Sequence, residues 1–254
     1  MEMKALKRMV QSKTLYGLLM IVGFWYLLHN VIQSKVVPNP YEAFLAFIYL
    51  LKGDLALHLG VSILRVIAAV AISMVIAVPL GLWIGSSKKA DAILSPVVYI
   101  LYTVPKIAFL PVFMLLFGLG DKSKVILLIS IILFQILLAT RDGVKEIPRQ
   151  LYYSTRSIGL NTWGLYEHLI IPAVLPKIIS AIRISVGVGI SVLFFSENFA
   201  TSYGIGYFIM DKWAILKYKE MFAGIIGISI MGFLIFKGID LAERRLCPWM
   251  FVEK

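Results

Sequence analysis

The chain is poor in thiol, imidazole and acid groups: one cysteine, three histidines and 14 acidic residues in 254, against 25 lysines and arginines. The lone Cys247 excludes an intrachain disulfide framework and any multi-cysteine metal site. His29, His58 and His168 are scattered along the sequence, which argues against metal ligation. No Gly-x-x-x-x-Gly-Lys-Ser/Thr run occurs, so a phosphate loop is excluded, and Gly118-Leu119-Gly120 is no dinucleotide fingerprint because no strand precedes it. Charge of either sign is scarce. Charged residues make up 15% of the chain and hydrophobic residues 60%, whereas a soluble chain carries about 25% and about 45–50%. The apolar excess must face something other than water, and lipid is the ordinary answer. The net charge of +11 does not point to nucleic acid, because the basic residues fall between apolar runs rather than in one patch. No small-residue cleavage site follows Val31, so the basic start and first apolar run read as an uncleaved span.

A spanning helix needs about 20 mostly apolar residues, since the hydrocarbon core is about 30 Å thick and a helix rises about 1.5 Å per residue. Six runs are taken as spans: 14–32, 57–84, 92–119, 125–140, 177–196 and 221–241. The prolines of Val36-Val37-Pro38-Asn39-Pro40 end the first. Residues 41–51 are apolar but too short to cross, which predicts a helix lying in the interface. Pro105-Lys106 interrupts the third run. Basic residues mark the cytoplasmic side. With the N-terminus inside, the inner segments hold Lys4, Lys7, Arg8, Lys13, Lys88, Lys89, Arg141, Lys145, Arg149, Arg156, Lys177, Arg244, Arg245 and Lys254. The outer segments hold half as many: Lys35, Lys52, Lys122, Lys124, Lys212, Lys217 and Lys219. Both termini are therefore expected to be cytoplasmic.

The longest inner connection, 141–176, is not disordered in composition. Residues 146–158 place Ile147, Leu151, Tyr152 (or Ser154) and Ile158 on roughly one helical stripe, Pro148 fits the first turn, and Gly159 fits a helix end where positive φ is wanted. Asn161 is expected to cap a second short helix through about Ile170, and Pro172 to stop it. Two short helices at a bend read either as a docking element or as a loop folded over the bundle.

A charge inside the bilayer costs at least about 2.5–3.5 kcal/mol on insertion scales, so each one needs a reason. Lys237 and Asp240 lie near the inner end of the last span, where snorkelling and interfacial pairing account for them. Arg183 reads as an interfacial or inter-subunit pair. Arg65 lies in the outer third of the second span and Glu197 ends the fifth on the same side, so the two can meet as an ion pair. Lys106 sits mid-span directly after Pro105, where a helix should break; such breaks line a cavity or are buried in protein. Ser196-Glu197-Asn198 is either a gate near the outer mouth or a plain polar helix end. Gly227 and Gly232 read as close-packing positions.

Tyr153-Ser154-Thr155-Arg156-Ser157-Ile158-Gly159, nine further residues, then Leu169-Ile170-Ile171-Pro172 resemble the loop motif of ABC importer permeases. That motif runs Glu-Ala-Ala, three residues, Gly, nine residues, Ile, one residue, Leu-Pro. Gly159 and Pro172 match in register, Leu169 and Ile171 match conservatively, and Tyr153-Ser154-Thr155 replaces the triplet. Val37-Pro38-Asn39-Pro40, the stretch 105–120 and Ser196–Tyr207 are similar to the nitrate/sulfonate/taurine/bicarbonate group of that family.

The resemblance implies an all-α membrane protein with residues 1–56 as first span and external interfacial helix. Residues 57–254 then form a permease core of five spans with the coupling loop 141–176. It further implies a homodimer, two separate ATP-binding-cassette ATPase subunits seated on the coupling helices, and an external solute-binding protein. ATP and Mg would be handled by the ATPase, with no cofactor on this chain. On this reading Tyr153, Ser154, Thr155, Arg156, Gly159, Leu169, Ile171 and Pro172 couple to the ATPase, and Pro105, Lys106, Ser196, Glu197 and Asn198 lie along the substrate path. A small anion is the expected cargo, with a thiamine-precursor-like heteroaromatic solute as the alternative. The chain is expected not to be an enzyme and to reside in a bacterial inner membrane. A secondary transporter would need buried carboxylates, and none of the six runs carries one near its centre. A channel would leave the 141–176 helices idle.

Overall fold

The computed structural model describes residues 2–251, with side chains from Tyr16 onward. Among the described residues all regular structure is helical. Met1 and residues 252–254, including Lys254, lie outside the described residues, as do the side chains of Lys4, Lys7, Arg8 and Lys13.

Helix α1 spans Glu2–Ile32 and α2 spans Pro40–Leu51. The second starts where Asn39 Oδ1 accepts the Tyr41 N–H at 2.9 Å, with Pro40 in the first turn, where a missing N–H costs nothing. Helix α3 covers Asp54–Ser86 and α4 covers Lys88–Thr103, started by Ser87, whose hydroxyl accepts the Ala90 N–H at 3.3 Å. A 3₁₀ turn, Lys106–Phe109, leads into α5, Leu110–Phe117. Then come α6 (Asp121–Lys145), α7 (Arg149–Ser157), α8 (Thr162–Leu165), α9 (Ile171–Ser196), α10 (Ile205–Ala214) and α11 (Tyr218–Leu246).

Helices α3, α6 and α9 form the central frame, packed through residues such as Val66, Ala77, Ile132, Ile136, Val174 and Ile182. Their backbones nearly touch. A Cβ placed on Gly81 or Gly85 of α3 would lie 2.7 Å from the Cβ of Thr140 or Val144 of α6, so a side chain there would wedge the pair apart. A second core of Phe47, Leu55, Ile205, Phe208 and Ala223 joins α2, α3, α10 and α11. Outward, large apolar side chains stay bare, Leu64, Val75 and Leu115 among them. A surface this apolar is sustained by lipid rather than water.

Among the described residues four helices are long and apolar enough to cross a membrane: α3, α6, α11 and the continuous run Thr162–Ser196. The pair Lys88–Thr103 and Lys106–Phe117 makes a fifth if taken as one span, bent by 78°. The described apolar part of α1, Tyr16–Ile32, and α2 are shorter.

Two boundaries differ from the sequence expectation. Pro172 does not stop the second short helix. Residues Tyr166–Ile170 form a π turn that carries α8 straight into α9, and Pro172 falls in the first turn of α9. The widened turn gives the proline ring room against the carbonyl four residues back, the contact that would otherwise break the helix. The connection is also shorter than 141–176, because α6 runs on to Lys145 and takes Arg141 into its last turns.

Candidate functional site

The break in the third apolar run is built by Val104 and Pro105, both extended (ψ 130° and 94°), as the residue before a proline is driven to be. It leaves the last carbonyls of α4 without helical partners. Lys106 Nζ donates to two of them, Leu101 O at 2.6 Å and Tyr102 O at 2.5 Å, and lies 5.0 Å from the centre of the Phe134 ring on α6. The ammonium thus caps a helix C-terminus, where the backbone dipole favours a cation. Among the described residues no carboxylate pairs with it. Beyond the break, Ile107, Leu110 and Met114 share an apolar cavity of about 670 Å³ with Phe195 and Phe199 from the end of α9.

Beside that cavity, at the end of α9, Arg65 and Glu197 form the ion pair that the sequence allowed. Arg65 Nη1 donates to Glu197 Oε1 at 2.6 Å, and the side chains are 4% and 0% exposed. Such a pair offsets its desolvation only when its remaining lone pairs and protons are also satisfied. Here Ser62 Oγ donates to Glu197 Oε1 at 2.7 Å and the Gly206 N–H donates to Oε2 at 2.8 Å. Arg65 also donates to Asp121, which opens α6, and to Tyr203 O. The Gly204 N–H donates to His58 Nδ1 at 3.1 Å, and buried Lys124 donates to Leu119 O at 3.1 Å. One guanidinium therefore ties together α3, α6, the end of α9 and the loop leading to α10. Ser196 turns its hydroxyl back to Leu193 O, and Asn198 Oδ1 is buried without a hydrogen-bond partner among the described residues.

The third cluster is the turn between α7 and α8. Gly159 has φ +85°, the left-handed conformation its place after the helix end predicts. Asn161 Oδ1 accepts the Gly164 N–H at 2.8 Å and starts α8. Tyr153, Ser154 and Arg156 are exposed, Thr155 and Leu169 half-buried, and Ile171 exposed. Tyr152 is half-buried on the inner side of α7, and that burial pushes its phenol above the ordinary range. Leu151, Ile158 and Trp163 lie open beside the turn; Trp163 escaped the sequence reading because a single tryptophan in a four-residue helix makes no pattern. Arg183 pairs with Asp240 at 3.0 Å and Glu243 at 2.5 Å, joining α9 to α11. Among the described residues no three His, Cys, Asp or Glu side chains group as metal ligands.

Comparison with known proteins places this arrangement. The family described as binding-protein-dependent transport system inner membrane component matches residues 77–252. The putative aliphatic sulfonates transport permease protein SsuC of Bacillus subtilis is 31% identical, over 90% of this chain and 84% of its own. The taurine transport system permease protein TauC of Escherichia coli is 31% identical, over 76% of this chain and 70% of its own. Among solved structures, an inward-facing form of the MetNI methionine ABC transporter shares the fold at TM-score 0.65 and 18% identity, covering 76% of this chain and 96% of that one.

Proposed function

Because the chain belongs to the family of binding-protein-dependent transport system inner membrane components, an ABC importer permease family whose members are not enzymes, we propose that it imports a small anion on energy from separate ATPase subunits. The observation that carries the reading is the α7–Gly159–α8 turn: two helices held at a fixed bend, with Leu151, Ile158 and Trp163 left bare where the basic residues put the cytoplasm. Apolar side chains bare toward water mark a surface that another protein covers. The occupant is an ATP-binding-cassette ATPase, two copies serving a homodimer of this chain, with ATP and Mg on the ATPase and no cofactor here. A soluble binding protein delivers the solute from outside.

The multi-pass chain sits in the inner membrane, and six spans with both termini inside follow if α1 crosses and the bent pair crosses once. Single cysteines in a Cys247→Ala background test this. Cys247 is the one native cysteine, and replacing it leaves the introduced thiol as the sole target of the label. Cysteines at Asn39, Asp121 and Tyr203 should label from outside intact cells, and those at Lys88 and Thr162 should not. Labelling of Thr162 from outside would overturn the topology.

The anion preference rests on Lys106. Among the described residues its ammonium meets carbonyls and aromatic rings but no carboxylate, so its charge is not cancelled, and Coulomb attraction grows as the effective dielectric falls. Sulfonate and taurine relatives are named for anionic or zwitterionic cargo. Pro105 sets the break, and Ser196-Glu197-Asn198 close the outer end of the same route. Lys106→Met keeps the length and removes the charge. ATP-driven uptake should fall at least about tenfold, the loss of roughly one charge-assisted contact, while the dimer and its bound ATPase persist. Normal uptake, or a dimer that falls apart, would remove Lys106 from the path.

A further inference from the structure

Helix α4 is only lightly embedded against the frame. Its buried residues are Ala90 and Val98 alone, while Ile93, Val97 and Ile100 are bare. Leu94 and Val98 reach the apolar core, and the rest of its fastening is polar. Asp91, Ser95 and Tyr99 recur every fourth residue and so form one stripe along α4, and Arg141 and Lys145, also four apart, face them from α6. Lys145 Nζ donates to Asp91 Oδ1 at 2.6 Å, and Ser95 Oγ donates to the same oxygen at 2.5 Å. Arg141 Nη1 donates to Ser95 Oγ and Nη2 to Tyr99 OH, both at 2.9 Å, with the guanidinium carbon 4.9 Å from the centre of the Tyr99 ring. Asp142 accepts the Arg141 Nε–H at 2.8 Å, which fixes the plane of the fork. Arg141 is 3% exposed, so this is a built contact rather than a surface charge.

The position of the contact gives it meaning. Only Glu146-Ile147-Pro148 separates α6 from α7, and Glu146 is held to Lys177 of α9 at 2.5 Å. On the other side, α4 leads to the 78° bend at Pro105 and through it to α5, which ends at Gly118 with φ +88°. We propose that Arg141 is the positioning residue that passes movement of the inner end of α6 to the α4–α5 arm, and so to the break at Lys106. This rests on the reading of the chain as an ATPase-coupled permease. A rigid three-helix frame cannot change shape by itself, whereas an arm fastened by a few directional hydrogen bonds follows the side chain that holds it.

The test uses the full chain with its bound ATPase, in a Cys247→Ala background, and needs no knowledge of the solute. Nitroxide labels go on Ile93 of α4 and Ile184 of α9, both exposed. A second pair on Ser157 of α7 and Ile184 reports the docking turn. Distances are compared without nucleotide and after trapping with ATP and vanadate. In the parent, both pairs should shift. In Arg141→Met, and in Ser95→Ala/Tyr99→Phe, which leaves Arg141 in place, the α7 pair should still shift while the α4 shift falls to about a third or less. An α4 pair that follows ATP in the double variant overturns the role of Arg141 and leaves the transport reading standing. A parent that binds no ATPase overturns both.

Discussion

Gly159→Val should insert normally, lose most of its bound ATPase and transport nothing. The turn holds φ at +85°, where a Cβ costs roughly 1–2 kcal/mol and a β-branched one more. Space is not the obstacle, because a Cβ there would meet nothing within 4 Å. The penalty is therefore conformational and local: it turns α8 relative to α7 and moves Trp163 and Ile158, while the α3–α6–α9 frame is untouched. One or two kcal/mol is a factor of about 5–30 in an equilibrium, so co-purified ATPase should fall by that range at unchanged membrane levels. Gly159→Asn supplies the control, since asparagine tolerates the left-handed region, and it should keep most of the ATPase. Full transport by the valine variant would remove the turn from coupling. Equal loss in the asparagine variant would show that the site needs the missing side chain rather than the backbone angle.

The second large effect lies at the opposite end. Arg65→Met should lower stability in detergent by about 3–5 kcal/mol, because it strands Glu197, fully buried, without its cation. Thermal loss of helical circular dichroism reads it out. Asp121 loses the same partner at little cost, being largely exposed. Adding Glu197→Met should recover much of the loss, since two apolar side chains of similar volume replace a buried pair at near-neutral cost. If Arg65→Met melts with the parent, the network does not hold α3, α6 and α9 together as the geometry implies. Gly204→Ala should fail differently, for its Cβ would come 2.6 Å from both Glu197 carboxylate oxygens at φ +136°.

The sequence carried the parts of this molecule that follow from local rules. Apolar runs marked the long helices, Pro105 marked the break, and glycine after a helical stripe followed by Asn161 marked the bent turn. Arg65 and Glu197 could be paired because both are costly in lipid and both lie toward the outer end of their spans. Geometry that depends on neighbours was not legible. Pro172 signals a stop by itself, and only the π turn before it lets the helix continue. A proline fixes that a helix breaks but not that it bends by 78°. The stripe Asp91, Ser95, Tyr99 and its partners Arg141 and Lys145 are visible as spacings, yet nothing local aligns the two stripes. That alignment comes from α3, against which both α4 and α6 pack. Lys124 read as a charge of an outer segment and Asp121 drew no reading, whereas the outer network gives Asp121 the Arg65 guanidinium and Lys124 a set of carbonyls.

The central claim, an importer subunit energised by ATP, is tested most directly by uptake into proteoliposomes holding this chain with its co-purified ATPase and binding protein. Taurine, linear alkanesulfonates, nitrate, bicarbonate and a thiamine-precursor heteroaromatic are offered as labelled solutes, with ATP present or absent on the ATPase side. The account predicts that one of the anionic solutes accumulates only with ATP, and that collapsing proton and sodium gradients with ionophores leaves the rate unchanged. Accumulation driven by an ion gradient without ATP, or equilibration that needs neither, would contradict it.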